Sequence, residues 1–187
     1  MRKLVYAFSV SLDSFIEDIH GSLGWSGPDP DLHRHFNEVE RSVDLMLYGR
    51  RLYELMAGFW PTAEEIPSAP DYIIEYARIW LAKPRLVFSN TLKEVAWNSQ
   101  LFKGDIATEV NKLKAQPGGT LTVGGAGLAA TFMQLDLIDE YSVYIYPILL
   151  GGGKRMFGPL DQPAPLRLVE TRPFNEGVML MRYARER

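Results

Sequence analysis

The stretch Leu121-Thr122-Val123-Gly124-Gly125-Ala126-Gly127-Leu128 constrains this chain more than any other segment. An apolar, β-branched run reads as a strand, glycines follow at once, and a helical pattern runs from Leu128 to about Leu135. Glycine lets backbone approach a ligand closely, and a helix start leaves N–H groups unpaired at the positive end of its dipole. Together these make an anion site suited to a pyrophosphate. The same succession also serves as a tight strand-to-helix turn with no ligand.

Gly125 to Ala130 formally matches G-x-G-x-x-A. A dinucleotide-binding unit of the usual kind adds an acidic residue about 20 positions on, at the end of the next strand. Ile145-Tyr146-Pro147-Ile148 stands there and holds no acid. The turn also comes late in the chain rather than after its first strand. A nucleotide fold of another kind is therefore expected.

Strands and helices alternate on either side of this turn. Leu4–Val10 reads as a buried strand. A long loop to Pro30 follows, crowded with Gly21, Gly24, Gly27, Pro28 and Pro30. Asp31–Arg41 carries Leu32, Phe36 and Val39 on one helical stripe, capped by Asp29 or Asp31. Val43–Tyr48 is a strand, a helix starts near Leu52, and Ile73–Leu81 is helical. Pro84–Ser89 is a strand, Val95–Trp97 a further short one, and Ile106–Lys114 a helix closed by Pro117-Gly118-Gly119. Tyr141–Leu150 is a strand, and Leu166–Glu170 with Val178–Tyr183 form a closing antiparallel hairpin. The pattern predicts one α/β domain over residues 1–187. Its sheet of about eight strands is mostly parallel with an antiparallel C-terminal edge, and helices flank both faces.

Composition narrows the function. The 187 residues carry 20 basic and 23 acidic side chains, a formal net charge of −3, which lacks the basic excess of a nucleic-acid binder. There is no cysteine, so thiolate metal sites and cysteine nucleophiles are excluded. No apolar run approaches the ~18 residues of a membrane helix, and the expected location is the cytoplasm. His33 and His35 would point to opposite helix faces, so no metal site is expected.

Two further segments fit a nucleotide. Gly49-Arg50-Arg51 places two arginines directly after a strand, where sheet ligands bind and where planar guanidinium groups suit phosphate. Ser89-Asn90-Thr91 puts small polar groups at another strand end, though such residues also simply make turns. Gly151-Gly152-Gly153-Lys154 lacks the Ser or Thr of a phosphate loop and reads as a glycine-rich bend.

The ordered set Ser11-Leu12-Asp13-Ser14-Phe15-Ile16, Tyr48-Gly49-Arg50, Phe88-Ser89-Asn90-Thr91, Val123 to Leu128 and Pro147 to Gly153 resembles the dihydrofolate reductase superfamily. More specifically, it resembles stand-alone relatives of the reductase domain of the bifunctional riboflavin-biosynthesis deaminase-reductase. The family usually has Gly where Ser14 stands. The resemblance implies NADPH across the C-terminal ends of the strands. Arg50 and Arg51 would lie near the 2′-phosphate, with Ser89 and Asn90 by the adenosine. Gly49 belongs to the arginine turn, and Val123, Gly124, Gly125, Ala126, Gly127 and Leu128 would hold the pyrophosphate, with Thr131 nearby. Ala7 and Ile16 would flank the nicotinamide. The loop from Glu17 to Pro30 would cover the site, with Trp25 as a pocket wall.

The expected activity is NADPH-dependent reduction of a small heterocycle, pteridine-like or ribosylamino-pyrimidine-like. The resemblance points to 5-amino-6-(5-phosphoribosylamino)uracil or dihydrofolate as reference substrates. Asp31 or Asp13 would supply a proton or orient a water; the alternatives are a helix cap and a turn residue. Trp25, Tyr53, Phe59 and Trp60 would stack a flat ring, unless they are core. A homodimer is expected from the apolar 141–150 strand and the closing hairpin. A non-catalytic nucleotide sensor and an oligomeric scaffold are the competing readings.

Overall fold

The computed structural model of the protein describes residues 1–27 and 29–187; Pro28, one of the loop breakers named above, lies outside the described residues. β1 (Leu4–Ser11) and the short β2 (Phe15–Glu17) lead into α1 (Pro30–Ser42), β3 (Val43–Gly49), α2 (Arg50–Ala57), a 3-10 segment at Trp60–Glu65 and α3 (Asp71–Ala82). β4 (Arg85–Phe88), β5 (Ser99–Phe102), α4 (Ile106–Ala115), β6 (Thr120–Gly124), α5 (Ala126–Gln134) and β7 (Glu140–Tyr146) follow. The chain closes through β8 (Lys154–Arg155), β9 (Leu166–Pro173) and β10 (Met179–Arg185).

Eight strands form one sheet in the order β5-β4-β3-β6-β1-β7-β10-β9. Neighbours from β5 to β7 are parallel, and β10 runs antiparallel between β7 and β9. The mostly parallel sheet and its antiparallel C-terminal edge are as the sequence predicts. Parallel strands buried on both faces need apolar residues on both faces, and all four residues of β4 are buried. On one face Tyr6, Leu121, Val123 and Val143 pack with Val110 of α4 and Phe132 of α5. On the other, Tyr144 and Leu180 pack with Leu32 and Phe36 of α1.

Local chemistry sets the boundaries. Asp29 caps α1, accepting from the N–H groups of Asp31 and Leu32 at 3.3 and 3.2 Å, with Pro30 at the first helical position. Of the two candidate caps, Asp29 holds the role. Gly125 takes φ +95°, a conformation glycine enters freely, and α5 starts directly after it at Ala126, two residues ahead of the sequence expectation. β7 stops at Tyr146 rather than Leu150 because Pro147 has no N–H for the ladder. Val95–Trp97 is not a strand: Trp97 has φ +61°, and the ladder begins at Ser99.

A second, two-stranded sheet pairs β2 with β8. Asp13 fastens it from below, accepting from Ser11 Oγ at 2.6 Å and from the N–H groups of Leu150 and Gly151 at 3.1 and 2.7 Å. The 147–153 bend is thereby tied to the turn after β1. A Cβ on Gly153 would lie 1.9 Å from the Glu17 carbonyl oxygen, so only glycine fits that crossing.

Candidate active site

β3 and β6 are neighbours, and each ends in a glycine turn that starts a helix. A Cβ on Gly125 would lie 3.7 Å from the Gly49 nitrogen, so the two turns touch. Asp29 caps α1 and Asp105 caps α4, whereas α2, α3 and α5 have no side-chain cap among the described residues; of these three, α2 and α5 start side by side. Two sets of unpaired N–H groups and two positive dipole ends therefore converge on one spot. No atom lies within 4 Å of a Cβ built on Gly127, so the space over the first turn of α5 is open. Gly124 is closed instead: a Cβ there would meet Leu52 Cδ2 at 2.4 Å.

These turns form one wall of a cleft of about 750 Å³. Gly49, Arg50, Arg51 and Gly125 to Leu128 line its outer part. Ala7 and Ile16 line its middle, from β1 and β2. Its inner end lies between α1, α3 and β7, against Phe36, Trp60, Tyr76 and Tyr144. The volume and the mix of apolar walls with few polar groups are those of a cofactor-and-substrate site.

The arginines differ. Arg51 donates to Glu17 Oε2 at 2.8 Å, tying α2 to β2 across the cleft. Among the described residues Arg50 makes a long i,i+4 contact with Glu54 at 3.6 Å and no other ion pair, and its side chain is half-exposed. A guanidinium in that state is available to a phosphate. The residues present thus fit a dinucleotide phosphate: open backbone donors, two dipole ends and a free-standing arginine.

Other sequence candidates fall elsewhere. Ser89 accepts from the N–H groups of Thr91 and Leu92, forming a turn at the end of β4, and Asn90 is exposed. Both stand on the same edge of the sheet but do not line the cleft. Thr131 donates back to the Gly127 carbonyl at 3.5 Å, a turn further along α5. Val123 is buried in the core beneath the turn. Trp25 packs edge-on against Tyr146 with centroids 5.5 Å apart, beside the cleft rather than in its wall. Trp60 lines the cleft, 4.2 Å from the Tyr76 ring, and Phe59 is exposed against it.

Three expectations need correction. Tyr53 is buried away from the cleft, its hydroxyl accepting from the Ala96 N–H at 2.7 Å, so it is packing and not a substrate stack. Asp31 is exposed in the first turn of α1 and does not reach the cleft. Asp13 is engaged by three donors, which hold its carboxyl down to about 2, the Ser11 hydroxyl foremost. Such a group stays ionised at neutral pH and gives up no proton.

The cleft carboxyl that the sequence reading missed is Glu40, in the last turn of α1. Glu40 Oε2 is shut off from solvent and meets no hydrogen-bond partner among the described residues. Burial pushes its carboxyl up to about 7, against a smaller opposing pull from Lys83. His33 also lines the cleft, its ring among Phe36, Trp60, Tyr72 and Tyr76, and desolvation lowers its pKa. The signal for Glu40 was in the spacing: Leu32, His33, Phe36, Val39 and Glu40 make one helical stripe. Its polar member is what marks the stripe as a cleft wall.

Comparison with known proteins gives the family and the fold. The RibD C-terminal domain profile matches residues 2–180. The chain belongs to the RibD C-terminal domain family. The Bacillus subtilis protein YyaP is 36% identical over 183 residues, spanning 97% of this chain and 94% of its own. Among solved structures, a putative riboflavin biosynthesis protein from Shewanella sp. PV-4 is similar at TM-score 0.79 and 27% identity, with 99% of both chains covered. The Thermotoga maritima deaminase and 5-amino-6-(5-phosphoribosylamino)uracil reductase is similar at TM-score 0.67 and 15% identity, over 99% of this chain and 57% of that one. Dihydrofolate reductase from Enterococcus faecalis, complexed with NADP(H), gives TM-score 0.67 and 12% identity over 99% and 97%. Membership in this family makes the chain reductase-type, and its fold is that of dihydrofolate reductase. No helix among the described residues is long and apolar enough to cross a membrane.

Proposed function

We propose that this protein is an NADPH-dependent reductase of a small nitrogen heterocycle, pteridine-like or ribosylamino-pyrimidine-like, acting in the cytoplasm. The observation that carries the reading is the pair of uncapped helix starts, at Arg50 and Ala126, opening side by side onto one cleft. Their N–H groups and those of Gly127 and Leu128 would hold the pyrophosphate, and Arg50 the 2′-phosphate. Ala7 and Ile16, both apolar, would give the nicotinamide an apolar surface to lie on. When bound, the dihydronicotinamide supplies a hydride to the substrate. The residues of the chain bind, orient and exclude water. Phe36, Trp60, Tyr76 and Tyr144 would enclose the substrate ring, and Arg51 with Glu17 would keep the loop after β2 over the cleft.

The protein is expected to act as a homodimer. β9 is an unpaired sheet edge, with Leu166, Leu168 and Val169 exposed on it, and such an edge is a ready pairing surface.

The test is titration with NADPH and NADH, followed by protein fluorescence, and then NADPH oxidation with 5-amino-6-(5-phosphoribosylamino)uracil or dihydrofolate. NADPH should bind at least about tenfold more tightly than NADH, and Arg50→Ala should abolish the difference. Equal, weak binding of both would overturn the assignment. Tight NADPH binding with no oxidation on either substrate would favour the sensor reading.

A further inference from the structure

A second cavity, of about 380 Å³, lies under α1 on the same face of the sheet. It shares a wall with the cleft: Ala7, Val39, Glu40, Tyr76 and Tyr144 line both. It leads in the opposite direction. Lys3, Thr120 and Glu140 stand at the starts of β1, β6 and β7, and all three line it. Its far part is thus at the N-terminal ends of the strands, whereas the cleft opens at their C-terminal ends. Its walls are mixed: Val5, Val39, Val43 and Leu180 give it apolar surface, and Ser42, Thr120, Thr122 and Ser142 set hydroxyl groups among them. At its far end Glu140 receives Lys3 at 2.5 Å and Arg182 at 3.2 Å, and Arg182 also reaches Glu170 at 2.6 Å. Glu40 is the carboxyl at the junction of the two spaces.

Resting on the reductase reading, we propose that Glu40 gives the reaction its proton and that the second cavity refills Glu40 from the opposite edge of the sheet. The neutral carboxyl passes its proton to the nitrogen of a substrate C=N bond as the adjacent carbon takes the hydride. The C=N bond becomes CH–NH, the dihydronicotinamide is oxidised by two electrons, and Glu40 is left as a carboxylate. A water held by the hydroxyl groups of the second cavity then returns a proton to Glu40, and bulk solvent makes the water whole. Substrate and cofactor block the cleft during turnover, so a back route lets recharging proceed without their departure.

The groups facing Glu40 support this division of labour. Tyr48 of β3, Tyr76 of α3 and Tyr144 of β7 feel its charge, and burial holds all three phenols protonated far above neutrality. Lys83, after α3, is a cation that acts on it, and its ammonium group donates to the Arg41 carbonyl. His35, on α1, is hydrogen-bonded to the Tyr144 hydroxyl at 3.0 Å, with Arg172 beyond it. Burial lowers the His35 pKa. His33, on the same stripe of α1, is likewise lowered by burial, so desolvation holds both histidines toward the neutral form while it holds Glu40 toward the protonated one.

The experiment has an arm that needs no substrate. Infrared difference spectra between pH 5 and pH 9, taken with and without NADPH, should show one buried carboxyl losing its proton near neutrality. The band should be absent in Glu40→Gln. With either reference substrate, Glu40→Gln should slow single-turnover reduction by about 100-fold or more and remove its decline above neutral pH, with NADPH affinity unchanged. Thr122→Leu narrows only the second cavity; it should leave the first turnover intact and slow steady-state turnover, with a larger solvent isotope effect. A carboxyl band titrating like that of an exposed glutamate overturns the proposal, as does Glu40→Gln with the parent pH profile. Unchanged steady-state turnover in Thr122→Leu overturns the refilling route. Failure of NADPH to bind the parent protein overturns the reductase reading instead, and the infrared arm still judges Glu40.

Discussion

Replacing Gly127 by Ala should make the protein more stable and worse at binding its cofactor. Gly127 is the second residue of α5, its φ is not left-handed, and a Cβ there meets no atom within 4 Å. The methyl group therefore costs nothing in contacts and removes backbone freedom from the unfolded chain. Gly-to-Ala exchanges in helices are worth roughly 0.5–1 kcal/mol, and the low end suits a first turn. For a chain of this length that is a rise of about 1–2 °C in Tm. The same methyl occupies the open space where the pyrophosphate is to sit against the helix start. Pushing the phosphate away weakens at least one charge-assisted hydrogen bond, worth about 1.5–3 kcal/mol, so Kd for NADPH should rise at least about tenfold. Calorimetric melts of the ligand-free protein and fluorescence titration with NADPH read the two effects separately. A lower Tm would contradict the open space, and an unchanged Kd would remove the glycine turn from the cofactor site.

Other substitutions test the frame around the cleft. Gly153→Ala, whose Cβ would strike the Glu17 carbonyl at 1.9 Å from a φ of +132°, should cost about 2–4 kcal/mol in urea unfolding and weaken NADPH binding by detaching β2. Gly152→Ala, meeting only the exposed Ile19 side chain at 3.0 Å, should stay within about 0.5 kcal/mol. Ser14→Gly should stabilise by up to about 1 kcal/mol, since Ser14 holds φ +71° and a left-handed serine costs more than the added freedom of glycine. Stability should also fall as pH rises from about 4.5 to about 7, because folded Glu40 keeps a proton that the unfolded chain has already released. Above that range both states are ionised and this loss is complete. Equilibrium unfolding of Glu40→Gln across that range should lack this part of the slope.

The fold and the two glycine turns that meet at the cleft were legible because they depend on short-range chemistry. A strand, a glycine turn and a helix start are contiguous in the chain at Val123–Leu128, and again at Tyr48–Arg51. The Glu40 end of the cleft was not, because it depends on which face of a helix meets the sheet. Asp31 and Glu40 are both carboxylates on α1, nine positions apart, and they fall on different faces. Only packing of Leu32 and Phe36 against Tyr144 decides that Glu40 points inward. Tyr53 failed for a related reason, since the backbone that receives its hydroxyl, at Ala96, lies 43 residues away. Asp13 stayed open between an acid and a turn residue because two of its donors, the N–H groups of Leu150 and Gly151, lie 137 and 138 residues away.

Helices α1 and α4 finish their own starts, with Asp29 and Asp105 bonded to the first-turn N–H groups. Helices α2 and α5 do not, and they stand side by side. An anion lodged there would complete both helices at once, and the proposed cofactor would then be a missing piece of the fold as well as a reactant. Binding and folding are then one linked equilibrium: at a hundred times Kd the native state gains about 2.7 kcal/mol. Inorganic pyrophosphate alone, bearing neither nicotinamide nor adenine, should raise the melting temperature in proportion to its share of that contact.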